Sequence, residues 1–164
     1  MSVLAPATIE SIRKKISELP VPEIPVLTLG DLGIVRDVEE TGDGHVVVTL
    51  TPTYSGCPAI DPIREDVESA VRADGYDDVE VKLALAPAWS TDWISEEGRR
   101  KLLEYGIAPP EHRTQGCVIA AMPVKCPRCR SADTREVSRF GATPCQAHHV
   151  CNSCQEPFDR FKTI

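Results

Sequence analysis

Two Cys-x-x-Cys pairs are the residues of this 164-residue sequence best suited to chemistry, Cys126-Pro-Arg-Cys129 and Cys151-Asn-Ser-Cys154. Each pair can turn two sulfurs toward one ion, and 21 residues (130–150) separate the pairs. Four thiolates in a tetrahedron suit zinc and leave no open coordination position for a reaction. We therefore predict a structural zinc site. Two alternatives remain, iron in the same four-sulfur cage and cysteines that are merely buried and reduced.

The segment around these pairs has the pattern of a zinc ribbon. Residues 134–140 read as a strand followed by a turn at Gly141, and a 41-residue segment (124–164) needs a metal because it buries little apolar area. Phe140, Phe158 and Phe161 are the expected small core. Three further residues could replace a ligand, although such residues more often pack or face water: Cys145, His148 and His149.

Cys57 is a third candidate, and it is the only cysteine before residue 117. It lies in Gly-Cys-Pro, between a predicted strand and a helix that starts near Asp61. A helix N-terminus favours thiolate, whereas the Asp61 carboxylate opposes it. A thiol hydrolase needs a nearby histidine, but the strand holds His45 roughly 25 Å away. On these residues alone, a small buried or loop cysteine is an equally good interpretation.

Charge and hydropathy exclude several classes of function. Residues 1–123 carry 11 Lys/Arg and 21 Asp/Glu, a net charge of −10, and residues 124–164 have a net charge of +3. A zinc tetrathiolate would reduce the latter to about +1, so we expect no nucleic-acid partner. The longest apolar run has seven residues, 118–124, which is too short to span a membrane. The first residues do not resemble a signal peptide, so we expect a cytoplasmic protein.

The elements that must position these cysteines predict an α+β fold, with a three- to four-stranded sheet, helices on one face and a C-terminal zinc-ribbon module. The predicted elements follow from the spacing of apolar residues and from runs of β-branched residues. In chain order they are a helix over 8–19, a hairpin over 33–52, a helix over 61–75, a strand over 79–85 and a helix over 96–106. Asp61 and Ser95 are the predicted N-caps of the second and third helices. The predicted domains are 1–106 and 124–164, joined by a linker over 107–123 that contains Cys117.

Several stretches of the first domain resemble a known family. Pro22-Glu-Ile-Pro-Val26, Leu29-Gly-Asp-Leu-Gly-Ile-Val35, Val48 through Cys57-Pro58 and Val81 through Trp89 are similar to the metal–sulfur cluster biosynthetic domain, whose family includes SufT-type proteins. In the tail, Cys126-Pro-Arg-Cys129, Ser138 through Cys145 and Cys154 through Lys162 resemble the PaaD family, which is encoded with the bacterial phenylacetyl-CoA ring epoxidase. Together the two resemblances cover nearly the whole chain.

The resemblance implies a maturation role rather than catalysis. It implies an accessory factor that assists assembly of the iron–sulfur or di-iron centre of the epoxidase in phenylacetate catabolism, with the reductase or the di-iron subunit as partner. The family's functional cysteine falls on Cys57, where iron or an iron–sulfur cluster would bind transiently. The family's Asp-Pro-Glu motif falls on Val21-Pro22-Glu23, so Glu23 is the only carboxylate of the motif here. Glu23 could contact the transferred metal or cluster, or it could be a loop anchor.

Other functions stay open beside this one. A structural subunit that stabilises the oxygenase complex would need no reactive Cys57. A thiol enzyme is disfavoured by the lack of a neighbouring histidine. A second cysteine for cluster transfer could come from Cys117, from the client or from a homodimer partner.

Overall fold

A computed structural model describes residues 7–42, 44–112 and 123–164, and the chain divides into two compact units, Met1–Trp89 and Ser90–Ile164. The α+β prediction is confirmed, since each unit combines a helix with β-structure. The helices are α1 (Ile9–Ser17), α2 (Leu29–Leu32), α3 (Ile60–Ala73) and α4 (Glu96–Tyr105). The strands are β1 (Pro20–Val21), β2 (Ile24–Thr28), β3 (Val35–Thr41), β4 (His45–Leu50), β5 (Asp78–Leu83), β6 (Ile107–Ala108), β7 (Thr134–Ser138), β8 (Gln146–Cys151) and β9 (Pro157–Phe161).

The first unit is a three-stranded sheet with helices packed against it. β3 and β4 form the predicted antiparallel hairpin, and β5 runs parallel to β4, from the pair His45–Asp78 to the pair Leu50–Leu83. Since carboxyl ends of parallel strands meet at one edge, the loop that follows β4 starts beside the end of β5. Cys57 lies in this loop, and His45 lies at the opposite end of β4.

Two amphipathic helices cover the sheet of the first unit, as predicted. Ile12 and Ile16 of α1 and Val67 and Val71 of α3 are all fully buried. The Thr8 hydroxyl accepts a hydrogen bond from the Ser11 amide and so begins α1. This burial, rather than intrinsic helix propensity, stabilises the short helix α1.

The proline-rich stretch after α1 forms the two-stranded sheet β1–β2. Two local features differ from the prediction. The helix α2 was not predicted, because it has only four residues. It begins with a capping box in which Thr28 and Asp31 each bond the other's backbone amide. The helix α3 begins at Ile60 with no side-chain cap, so the prediction of Asp61 as N-cap was wrong.

The second unit contains α4 and a four-stranded sheet of order β6-β9-β8-β7. Ser95 caps α4 as predicted, accepting from the Gly98 amide at 2.9 Å, and Gly106 ends the helix with a φ of +93°. The predicted linker contains β6, which pairs with β9, and residues 113–122 with Cys117 lie outside the described residues. The predicted domain boundaries at 106 and 124 stay a prediction.

The apolar core of the second unit contains Phe158 and Phe161, which are buried as predicted. Phe140 is 68% exposed, so its placement in this core was wrong. Phe140 follows the edge strand β7, which has only β8 as a neighbouring strand in the described structure. The Phe140 ring lies beneath the Lys162 ammonium.

Within the described residues, we find no helix with the length and apolar character needed to cross a membrane.

Candidate metal centre and cysteine site

The four cysteines of the two Cys-x-x-Cys pairs come together in the second unit. Cys126 and Cys129 lie in a turn before β7, Cys151 ends β8, and Cys154 lies in the turn before β9. The antiparallel pairing of β7 with β8 places Thr134 opposite Cys151, so the first turn is carried back to the second. Sheet register, rather than closeness in sequence, therefore assembles this group.

The geometry of the four sulfurs suits a single metal ion. All four Sγ atoms lie within 4.8 Å of one another. Cys126 Sγ is 3.8 Å from Cys154 Sγ, and Cys129 Sγ is 3.5 Å from Cys151 Sγ. A tetrahedral ion with metal–sulfur bonds of about 2.3 Å requires sulfurs separated by about 3.8 Å. The donor set therefore fits a four-coordinate metal, and two of its members, Cys126 and Cys151, are fully buried.

Backbone and side-chain contacts hold the two cysteine turns. The Cys154 amide donates to Cys151 Sγ at 3.5 Å, and this hydrogen bond is the largest of several that together lower the pKa of Cys151 to about 7. The Ser131 and Ser153 hydroxyls are 2.7 Å apart and link the two turns directly. The amide contact favours the thiolate form of Cys151, and outer contacts of this kind orient metal ligands. The sequence pattern contained no signal for the serine pair, because its members are 22 residues apart.

The spare residues of this unit have other surroundings. Cys145 Sγ lies 2.9 Å from the Thr143 hydroxyl, and His148 Nδ1 lies 3.0 Å from Asp159 Oδ1. His149 is buried and stacks on Phe158 at 5.6 Å between ring centroids. In the described part of the chain, the four-sulfur group includes none of Cys145, His148 and His149.

Cys57 is half-buried in the first unit, in the loop between β4 and α3. Burial raises the pKa of its thiol, partly opposed by the Ala59 amide, and the Glu23 carboxylate raises it further by its charge. The Thr53 hydroxyl and the Ile60 amide act in the lowering direction but do not reverse the result. The thiol is therefore protonated at neutral pH, in contrast to the thiolate that a helix N-terminus alone would favour.

Glu23 lies in the turn between β1 and β2, and its charge acts on Cys57. Glu23 and Cys57 therefore interact electrostatically in the structure, although they are 34 positions apart in the sequence. Val21, which the resemblance aligns with the aspartate of the motif, has an apolar side chain that is only 5% exposed.

Comparison with known proteins shows to which class of protein this chain belongs. A family model described as iron-sulfur cluster assembly protein matches residues 9–83, and one described as PaaD zinc beta ribbon domain matches residues 110–162. A crystal structure of the domain of unknown function DUF59 from Bacillus anthracis superposes with a TM-score of 0.53 at 25% identity, covering 57% of this chain and 90% of that one. Fold and site therefore define a two-part protein, an iron–sulfur cluster assembly domain joined to a zinc β-ribbon.

Similarity to individual curated proteins identifies the family within this class of protein. A protein of Escherichia coli (strain K12) that is named as a subunit of 1,2-phenylacetyl-CoA epoxidase is 46% identical over 165 residues, which cover 100% of this chain and 98% of the relative. An Fe-S protein maturation auxiliary factor of Porphyromonas gingivalis (strain ATCC BAA-308 / W83) is 42% identical over 87 residues, which cover 52% of this chain and 79% of the relative. The chain belongs to the PaaD family of phenylacetate-degradation proteins.

Proposed function

We propose that this chain is a cytoplasmic accessory factor that assists assembly of the iron–sulfur or di-iron centre of a multicomponent phenylacetyl-CoA ring epoxidase. One observation carries the proposal. Full-length similarity to a protein named as an epoxidase subunit coincides in one chain with an iron–sulfur cluster assembly domain that holds a half-buried cysteine. Similarity to named Fe-S maturation factors supports the same role.

The four cysteines Cys126, Cys129, Cys151 and Cys154 would hold zinc as a structural ion. The sulfur spacing suits zinc, and four protein ligands leave no position at which a substrate could bind. The metal would stabilise a unit that has few buried large side chains of its own. Iron in the same cage is the alternative outcome of metal analysis.

Cys57 would be the residue that contacts the transferred iron or cluster. A thiolate is a soft ligand for iron–sulfur species, and a single cysteine holds such cargo weakly enough to release it. Because burial and the Glu23 charge raise its pKa, the free thiol would be protonated and would lose its proton only on metal contact. The same negative charge attracts cationic iron, which gives Glu23 a supporting role.

The partners would be the reductase or the di-iron subunit of the oxygenase, with a homodimer as a further possible arrangement. The role is not enzymatic. The raised pKa of Cys57 argues against a thiol enzyme, which requires an activated thiolate. The alternative function is a structural subunit that stabilises the oxygenase complex, and this alternative requires no reactive thiol at Cys57.

The experiment is metal and sulfide analysis of anaerobically purified protein, with wild type beside Cys57→Ala and the control Cys145→Ala, which removes a thiol from the second unit. We expect one zinc per chain in all three and substoichiometric iron and sulfide in wild type and Cys145→Ala only. Oxygenase subunits from cells that lack the chain should be present but metal-deficient. Full metal content of those subunits would contradict the maturation role.

A further inference from the structure

We propose that a basic and aromatic concavity on the ribbon sheet, which we call the basic face, docks an acidic segment of the client oxygenase subunit. The inference rests on the proposed function and adds the surface that recognises the client. The basic face consists of Arg139, Phe140, Arg160, Lys162 and Thr163, and none of these residues belongs to the four-cysteine group.

The concavity is built on one face of the sheet. β8 pairs with β9 so that Ala147 lies opposite Arg160, and both line a cavity of about 440 Å³. The small Ala147 side chain leaves the space, while Arg160 and the residues after β7 and β9 form its walls. The cavity is large enough to hold a few side chains of a partner.

The three cations of the basic face outnumber the one carboxylate that lines the cavity, Glu136. Among the described residues, no carboxylate forms an ion pair with Arg139, Arg160 or Lys162. Lys162 Nζ instead donates to the Pro144 carbonyl at 2.9 Å and lies 4.4 Å from the centroid of the Phe140 ring. Three unpaired cations at one concavity favour an anionic occupant, and guanidinium groups match carboxylates in a bidentate geometry.

An exposed aromatic side chain beside the cations indicates a polypeptide. Phe140 is 68% exposed and lines the cavity. Arginine and aromatic side chains supply most of the binding energy at protein interfaces, where apolar contacts surround charged pairs. A single acidic residue lines the cavity, Glu136, which lies 3.8 Å from His149.

The test measures binding of the full-length, zinc-loaded chain to the purified reductase subunit and to the purified di-iron subunit, each immobilised separately. We expect one subunit to bind, with an affinity that falls as salt rises, because the contacts are partly exposed charges. Arg139→Glu with Arg160→Glu should weaken binding about tenfold or more. The matched double variant Lys125→Glu with Arg135→Glu makes the same charge change, and Arg135 precedes Glu136 on β7 and so points to the opposite face.

The control double variant should bind within about twofold of wild type, and Phe140→Ala should bind several times more weakly. Cys57→Ala should bind like wild type, because Cys57 is not part of the basic face. Wild type that docks on a subunit but delivers no metal to it would refute the maturation role and keep the basic face. Equal weakening by both double variants would indicate a general charge effect and would overturn the docking site. Wild type that binds neither subunit would also overturn it.

Discussion

Arg130 and Gln155 occupy the same position in the two cysteine turns and adopt the same unusual backbone conformation. Each follows the second cysteine of its pair, and their φ values are +65° and +61°. They are the non-glycine residues of the described chain with a positive φ. The chain must reverse at these positions to aim both sulfurs of a pair at one point, and a side chain there is strained.

This relationship predicts that the turn after Cys129 keeps its conformation in Arg130→Gly and is disrupted in Arg130→Val. Glycine adopts a positive φ freely, whereas a β-branched residue is strongly disfavoured there. We expect Arg130→Val to bind metal several times more weakly than Arg130→Gly, a difference of about 1 kcal/mol. Competition with a chromophoric chelator measures it. Equal affinities of the two variants would show that the conformation does not control the site.

Metal removal should loosen the second unit and leave the first intact. The four thiols lose their common ligand, and this sheet has few other large buried side chains. Hydrogen exchange of the whole chain, with and without chelator, should show lost protection in β7–β9 and unchanged protection in β3–β5. Cys126→Ser should behave like the chelated protein and Cys145→Ser like the metal-loaded one. Uniform loss of protection over both units would contradict this expectation.

Arg99 should matter far more to stability than its neighbour Arg100. The buried Arg99 guanidinium donates to the carbonyls of Pro110 and Thr91, whereas Arg100 is exposed and pairs with two glutamates. Arg99→Met would leave the two carbonyls without their charged donor, which costs about 2 kcal/mol, and Arg100→Met should cost less than about 1 kcal/mol. Denaturant unfolding measures the loss of stability in each variant, and hydrogen exchange of the α4 amides shows whether this helix is affected. Similar losses would show that the buried guanidinium contributes little.

Much of the architecture followed from local signals in the sequence. The start of α4 at Ser95 and its end at Gly106 could be predicted, because a hydroxyl cap and a positive-φ glycine act within a few residues. The four cysteines were recognised because their ligand spacing is itself a geometric constraint. By contrast, α2 was missed although Thr28 and Asp31 form a capping box, since four residues contain no helical period.

Features set by distant residues could not be predicted in this way. The raised pKa of Cys57 depends on burial and on Glu23, and neither is visible in the neighbouring sequence. Phe140 was placed in the core by its type alone, yet it follows an exposed edge strand. The basic face depends on the register between β8 and β9, which brings Ala147 and Arg160 together. Register and tertiary electrostatics are therefore what the sequence pattern left undetermined.

The Glu23 carboxylate should control how readily Cys57 reacts as pH rises. A nearby negative charge disfavours the thiolate, so Glu23→Gln lowers the Cys57 pKa toward its ordinary value. At a fixed pH below that pKa, a lower pKa means a larger thiolate fraction and faster alkylation. We expect the alkylation rate of Cys57 at pH 8 to rise severalfold in Glu23→Gln, with its pH midpoint shifted downward.

The measurement is the rate of iodoacetamide modification of Cys57 by peptide mass spectrometry over a pH range that starts at about 7 and extends above the ordinary thiol pKa of about 8.5. Glu39→Gln is the matched control, because it removes an exposed carboxylate on β3 that does not contribute to the Cys57 shift. Burial acts in both variants, so the midpoint of Glu23→Gln should stay above that of an unfolded thiol. Identical pH profiles for the two variants would show that Glu23 exerts no influence on Cys57, and its supporting role in metal contact would then have no electrostatic basis.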